Sequence, residues 1–556
     1  MTQTSDSFKT FALWLAALFL TTLGAQLWVV WLYGSPLPLW DQWYQASDFF
    51  KPWAAGNLKW TDFFAAHNEH RIFVTRVLDV TLIWLNGRWE PLLQMTVDAF
   101  IHAVFACGLA FCLWDFFGRK NGWLVCTLLL PFFALPYGGE NAIWGFNSQN
   151  YFVTMCAVAT LACLGFGKVG GWRWWIGCIV TVLGLFTTAG GIFAPVAAGG
   201  IIVLRAIQNR RFDKGSLISL GVCVLVFALG VALMARKDVD RSFQAHSFLE
   251  FTAALTRNLS WPFYHMPVVP CLIVLPLALL LAFYLRPNFQ QPRAAEFLLA
   301  LALWSVMQSV VLAYGRANYG GDVPSSRYMD FLNIFVIASV FAAALLAQLW
   351  EKHRLRNGIL ALAFVGVIFC GVCHISQIVV QDLLVQTRMW NLVAEERVQR
   401  FMTTGNESDL MERPTVRPDP TVTLAVLRDP AMQTILPASC LPPGTPTNEH
   451  LMAPTQWLMN HSILILSAGL VLFIGLCGYG LARGTLGMVA KSPIGILALL
   501  AGLIALGFVW SKHTVSRNSV EYVLQEQITA NFKAAGNTGR AAIHEQKAAE
   551  LKQFAN

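Results

Sequence analysis

Charge is what this chain has least of. Only 13% of its 556 residues are Asp, Glu, Lys or Arg, while 56% are hydrophobic. Soluble domains carry about 25% charged residues, so a string of soluble domains is excluded. The mean hydropathy of +0.54 agrees. A concentrated basic surface is also missing. The net charge of +8 is spread over short loops between apolar runs, which argues against nucleic acid as a partner and marks cytoplasmic loops instead. Loop cysteines are equally scarce. Eleven of the twelve Cys lie in apolar runs, where they act as small packing residues. Cys440 alone stands in a long polar loop, without a partner of its own there, and no CxxC pair falls in a loop. Neither a disulfide scaffold nor a thiolate metal site is expected. Internal repeats of the kind that mark many transporters are absent too.

What the chain has is apolar stretches of spanning length. A crossing helix needs about 20 such residues. Candidate spans are 11–33, 92–114, 121–136, 150–167, 173–188, 191–206, 215–235, 267–285, 294–314, 329–350, 357–380, 461–482 and 491–510, thirteen in all. The first is too long for a signal-peptide core and lacks a small-residue cleavage site, so it reads as a retained span. The pair 173–188 and 191–206 is short and separated only by Ala189 and Gly190; a re-entrant hairpin is the alternative. The 21 Trp and 39 Phe suit helix ends at headgroup depth.

The positives orient the bundle. With a cytoplasmic N-terminus, the Lys/Arg-bearing loops 119–120, 168–173, 205–214, 286–293, 351–356 and 483–491 all face the cytoplasm. The sequence thus predicts an all-α, polytopic protein of a bacterial-type cytoplasmic membrane, in contact with its lipids. Segments 34–91, 137–149, 236–266, 315–328 and 381–460 and the tail 511–556 then lie outside. The organisation is a membrane module over 1–380, a small outer subdomain or lid over 381–460, two last spans over 461–510, and the tail. Prolines in 412–443 argue against regular helix there, and 531–552 reads as a solvent-exposed helix.

Polar chemistry gathers in the outer loops. The first opens with Trp40-Asp41-Gln42-Trp43-Tyr44 and continues with bulky apolar residues alternating with polar ones, as in amphipathic helices lying in the membrane plane. It reaches His67-Asn68-Glu69-His70-Arg71 at the start of a helix over 72–86, too short to span, that carries Arg76 and Asp79. Asp41, in partly apolar surroundings, suits a general base or a metal-linked carboxylate; a helix N-cap is the plainer alternative. Glu69 would be its partner, sharing a divalent cation or holding an acceptor. The order of His67, Glu69 and His70 lacks the i, i+4 histidine pair of a zinc helix, so these residues and Arg71 read as substrate contacts rather than a zinc site. No cofactor is firmly implied, and the identity of any metal stays open.

Two further loops add binding groups. Between Tyr137 and Asn150, paired Gly, amides and aromatics, including Glu140, Asn147 and Gln149, suit sugar recognition or an ordinary interfacial belt. Arg316, Asn318, Tyr319, Gly320-Gly321-Asp322 and Ser325-Ser326-Arg327-Tyr328 form the other. Arg327 at the mouth of a span could grip a phosphate bidentately, with Tyr328 and Arg316 beside it, or could reach up to lipid headgroups. A third loop holds Arg236, Lys237, Arg241, His246, Arg257, Tyr264 and His265, none distinguished by spacing. Asp98 and His102 share a helix face inside a span and are read as pairing within the bundle; His374 is read as a core histidine.

This pattern resembles the GT-C superfamily of polyprenyl-phosphate-dependent glycosyltransferases. The likeness lies in organisation over roughly 1–380: an acid soon after the first span, in-plane helices, and an Arg at an outer helix end. It implies Asp41 and Glu69 as catalytic acids, with Arg327, Tyr328 and Arg316 on the donor phosphate. It also implies a polyprenyl-phosphate sugar donor and a glycan or lipid acceptor. The sequence departs from the family in carrying a single Asp rather than an acidic dipeptide, which bears on metal use. The segment 381–460 is also smaller than the soluble domains of oligosaccharyltransferases. A transporter, a flippase or a glycan ligase are the rival classes.

Overall fold

The computed structural model describes residues 2–119, 121–234, 241–264, 269–319, 324–349, 354–411, 419–482 and 517–552. Among these residues the secondary structure is helical, with one isolated bridge between His67 and His70 in place of any strand. Among the described residues nine helices are long and apolar enough to cross a membrane: Phe8–Tyr33, Pro91–Phe116, Gly122–Ile143, Ala189–Gln208, Lys214–Leu233, Pro292–Gly315, Ser326–Leu349, Arg356–Thr404 and Ser462–Gly480. Three other expected spans form shorter helices, Ser148–Cys163, Trp172–Gly184 and Val269–Tyr284. The expected span 491–510 lies outside the described residues, as does the 483–491 loop. The protein is a multi-pass, all-α membrane protein.

Close helix contact relies on missing side chains. The Thr2–Tyr33 helix runs along Ser462–Ala482, and a Cβ on Gly24 would meet the Leu466 backbone nitrogen at 2.3 Å, while one on Gly469 would meet that of Thr21 at 2.4 Å. Small residues at such crossings let dispersion contacts accumulate where the hydrophobic effect between helices is weak. All twelve cysteines are free.

The long connection 34–90 folds into short helical pieces, Asp41–Gln45, Ala46–Phe50, Lys51–Ala54 and Trp60–Phe64, before the 14-residue helix Phe73–Asn86. Arg76 and Asp79 of that helix are buried. Arg76 donates to the carbonyls of Asp62 at 2.9 Å and Ala65 at 2.5 Å, which closes the Trp60–Phe64 turn, and its guanidinium lies over Phe49. Asp79 accepts from Gln45 at 2.7 Å and from Gln94, and burial pushes its carboxyl up to about 7.

Three expectations need correction. The segment 381–460, expected as a small outer subdomain or lid, is joined both to a span and to the first connection. Its first part continues a span, since Arg354–Ile378 runs through the π-helical turn Val379–Leu384 into Val385–Thr404. Its remainder shares one apolar core with the first connection, in which Trp43, Phe49, Phe50 and Trp89 meet Val398, Phe401, Leu427 and Leu436. Main-chain and side-chain bonds stitch the two together: Trp89 N–H to the Ile435 carbonyl at 2.9 Å, Ser439 to the Pro36 carbonyl at 2.8 Å, and Lys51 to Asp429 at 2.8 Å.

Proline, second, does not prevent helix in 412–443. Pro420–Arg428 and Pro430–Gln433 begin at proline, capped by Asp419 and Asp429, the position where proline's missing N–H costs nothing. The Arg413-Pro414 and Arg417-Pro418 pairs lie outside the described residues.

The tail, third, is not a lone exposed helix. Arg517–Ala534 and Thr538–Lys552 pack together, and Leu524 and Ile528 meet Leu392 and Val393 of the Val385–Thr404 helix. Buried Arg388 pairs with both Glu395 and Glu521 across this junction, and Ser35 donates to Glu395 at 2.6 Å. Helical periodicity alone cannot say whether such a weakly apolar face finds a partner.

Candidate functional site

Arg327 and Asp41, 286 positions apart by number, share a neighbourhood through Trp144, whose ring lies 6.2 Å from that of Trp40, next to Asp41, and 5.6 Å from the Arg327 guanidinium carbon. The charge of Arg327 bears on the Asp41 carboxylate, and so does that of Glu69. Burial pushes the Asp41 carboxyl up from its ordinary value; Glu69 adds to the rise and Arg327 opposes it. Asp41 begins a short helix after Trp40, whose φ of 50° is left-handed, an uncommon conformation for an aromatic residue. The turn is held from both sides. Trp144 donates its indole N–H to the Leu39 carbonyl at 2.9 Å, and the Leu39 N–H donates to Gln42 at 2.8 Å.

Arg327 sits among aromatic rings. Its guanidinium carbon lies 5.6 Å from the Trp144 ring centre, 5.3 Å from Tyr319 and 5.0 Å from Tyr328. Such contacts fix a guanidinium's plane and leave its N–H fork for a bidentate acceptor. Trp144 thus supports both the Asp41 turn and the Arg327 side chain.

Glu140 is expected from its loop to touch substrate. One oxygen of its carboxylate, Oε2, instead accepts from the Ser325 hydroxyl, from Ser326 at 3.1 Å and from the Arg327 backbone N–H at 3.0 Å. Asn141 completes the clasp by donating to the Arg327 carbonyl at 3.0 Å and to Asp330 at 2.6 Å. Glu140 therefore positions Arg327. Glu140→Gln can keep an oxygen toward these donors but removes the carboxylate charge on which three donors converge, weakening all three bonds. We expect it to cost about 1–3 kcal/mol of local order and to lower any activity of the Arg327 site about tenfold. Arg327→Ala should then show no further loss from Glu140→Gln, as a double-mutant cycle will read.

Glu69 is engaged as well. It forms an ion pair with Arg316 and lies 3.9 Å from His70 Nε2. Burial works to raise its carboxyl, but His70 and Arg316 outweigh it and hold Glu69 below the usual range. Arg316 is held well protonated by Tyr328 and Glu69 in spite of partial burial, with the Tyr328 hydroxyl as a hydrogen-bond partner. His70 Nδ1 accepts from the Ala189 N–H at 3.1 Å, which leaves Nε2 as the protonated nitrogen toward Glu69. Burial first, then Arg316 and Arg327, push the His70 imidazole down, against Glu69. Neutral His70 is the expected form near neutral pH.

Other expected contacts turn out to build the scaffold. His67 and His70 exchange backbone hydrogen bonds at 2.8 and 2.9 Å around Asn68, whose φ is 51°, and His67 packs on Phe146. Arg71 donates to the carbonyls of Leu233 at 2.8 Å and Phe64 at 2.7 Å. Asn147 donates to the Glu140 carbonyl at 3.2 Å, and Gln149 is buried. Asp98, expected to pair with His102 or Arg71, has no hydrogen-bond partner for either oxygen among the described residues. Ser325, Ser326, Asn141 and Trp144 are the residues whose positioning role spacing did not single out. Gly320-Gly321-Asp322, Arg236, Lys237 and His265 lie outside the described residues.

No group of three or more His, Cys, Asp or Glu suited to a metal ion occurs among the described residues. With Glu69 committed to Arg316 and Asp330 accepting from Asn141, Asp41 is the candidate base beside Arg327. The assembly is a polar site at one end of a multi-span helical membrane protein, built from a basic-capable acid and a ring-stacked guanidinium. No protein-family model matches the sequence, and no curated protein matches it.

Proposed function

We propose that this protein is a membrane glycosyltransferase that moves a sugar from a polyprenyl-phosphate donor to a cell-envelope glycan or lipid. The observation that carries the reading is that Trp144 packs against both Arg327 and Trp40, the residue before Asp41, so that an anion grip and a base lie in one neighbourhood as a sugar phosphate would need. Orientation follows the charge of the loops: a cytoplasmic N-terminus, thirteen spans in a bacterial-type inner membrane, and the site on the outer face. A GT-C-like arrangement suits these features.

The chemistry is an inverting displacement. The acceptor oxygen forms a bond to the anomeric carbon as that carbon's bond to the phosphate oxygen breaks. The electron pair leaves with the carrier lipid phosphate, and the acceptor proton passes to Asp41. Arg327 stabilises the added phosphate charge from a fixed position, so a cation is not required for that step. Arg316, paired with Glu69 and hydrogen-bonded to Tyr328, holds the other side of the phosphate together with Tyr328.

The test is direct. Purified protein in lipid nanodiscs, given radiolabelled polyprenyl-phosphate sugars and extracted envelope acceptors, should convert donor to free carrier phosphate and labelled product. A transporter is the second reading, favoured by the unpartnered, buried Asp98 within a span. It predicts movement of intact donor across the bilayer and no cleavage of the sugar–phosphate bond.

A further inference from the structure

A second cavity, outside the Asp41–Arg327 site, lies beneath the helix Phe248–Leu259. It has a volume of about 350 Å³, and Leu249, Thr252, Thr256, Arg257, Ser260 and Tyr264 line it. The helix is anchored on one face only. Ala254 seats against Ala313 and Ala317, Asn258 donates to the Ser309 carbonyl at 3.1 Å, and Arg257 donates to the Ala317 carbonyl at 3.1 Å. Its first turn points the other way, with Phe248 81% and Leu249 78% exposed. Large apolar residues this exposed on an amphipathic helix belong in the headgroup–acyl boundary of a bilayer. The apolar surface continues down the neighbouring span through exposed Val310, Val311 and Tyr314. A ligand reaching this cavity can therefore come from the bilayer with its chains beside that surface.

The lining says which headgroup fits. Tyr264 is buried, and its hydroxyl has no hydrogen-bond partner among the described residues. A buried polar group left this way costs about 1–3 kcal/mol, which a ligand oxygen would recover. Beside it stand the hydroxyls of Thr252, Thr256 and Ser260 and the guanidinium of Arg257. This set recognises a phosphate ester through charge-assisted and hydroxyl hydrogen bonds. Arg257 also lines a narrow cleft shared with Arg316, Ser325 and Tyr328. Arg257 thus stands between the cavity and the edge of the candidate site.

We propose that this cavity is the acceptor station, and that the acceptor is a lipid bearing a phosphate monoester in its headgroup. The proposal rests on the transferase reading above and narrows it. The single phosphate of the donor is already served by Arg327 and Arg316. A second cationic station one cleft away, facing lipid, fits a second anionic substrate delivered by the bilayer.

Binding and turnover test it separately. Full-length protein in nanodiscs is exposed to a diazirine-bearing phosphatidic acid, then irradiated, and the labelled peptides are quantified. Labelling should fall on residues 248–264, and phosphatidylcholine carrying the same diazirine should label there at least fivefold less. Leu249→Trp fills the cavity from an exposed position, and Tyr264→Phe removes only the orphan hydroxyl. Each should cut labelling about fivefold or more while leaving binding of polyprenyl monophosphate unchanged. Equal labelling by the two lipids, or labelling indifferent to both substitutions, overturns the site. Normal labelling with transfer only to water-soluble glycans overturns the acceptor role. Normal labelling with no sugar–phosphate cleavage under any condition sinks the transferase reading instead and reduces the cavity to an anionic-lipid site.

Discussion

Arg327→Ala is expected to lower sugar transfer about 10²–10³-fold, the scale seen when a fixed donor to developing negative charge is lost. The protein should stay folded, because the Arg327 turn is held by its backbone rather than its side chain: its N–H donates to Glu140 and its carbonyl accepts from Asn141. Truncation would leave Trp144, Tyr319 and Tyr328 around an empty place that solvent or lipid can fill. Arg327→Lys restores charge without the planar fork, so an intermediate loss of about tenfold is expected. A steady-state assay of carrier-phosphate release, alongside a thermal melt in detergent, separates these outcomes from unfolding.

Asp41→Asn should lower transfer about 10²–10⁴-fold, the span assigned to a positioned general base. The pH dependence carries a sign. The base acts when ionised, so activity fades as pH falls through its pKa. Burial and Glu69 raise that value, which puts the acidic limb above the value of about 3.9 for a free aspartate. Glu69→Gln removes the raising charge and leaves Arg316 unneutralised, and both changes lower the Asp41 carboxyl. The acidic limb of the remaining activity should move to lower pH. An upward move would contradict the electrostatic account of the pair.

Much of the scaffold was legible from the chain because apolar length is a strong signal. The helices Phe8–Tyr33, Pro91–Phe116, Lys214–Leu233, Pro292–Gly315 and Ser326–Leu349 follow the expected runs within a few residues. The non-spanning character of 72–86 was legible too, since Arg76 and Asp79 could not face lipid. Its solution, carbonyl caps for one and two glutamines for the other, was not, because those partners come from folded loops. The run 357–380 hid its continuation to Thr404: polar residues after Val379 end the hydropathy signal but not the helix.

The site was read in part. Asp41 and Arg327 stood out as an acid and a cation at helix mouths, and in the fold Trp144 packs on Arg327 and on Trp40, next to Asp41. Glu140 looked like a sugar ligand because a carboxylate between glycines and aromatics fits that chemistry. Its true neighbours, Ser325 and Ser326, are 185 and 186 positions away, and nothing local marks them. Glu69 likewise meets Arg316 across 247 positions. Charge pairing over such separations is a property of the fold, and the sequence alone lists only candidates. The shared core of 381–460 with the first connection was hidden for the same reason.

The most direct test separates the grip from the base. Native mass spectrometry of the purified protein with polyprenyl monophosphate should record a one-to-one complex for the wild type and for Asp41→Asn. Arg327→Ala should bind at least tenfold more weakly. Undiminished binding by Arg327→Ala, or equal loss in both variants, would contradict a phosphate held by Arg327 next to a base at Asp41.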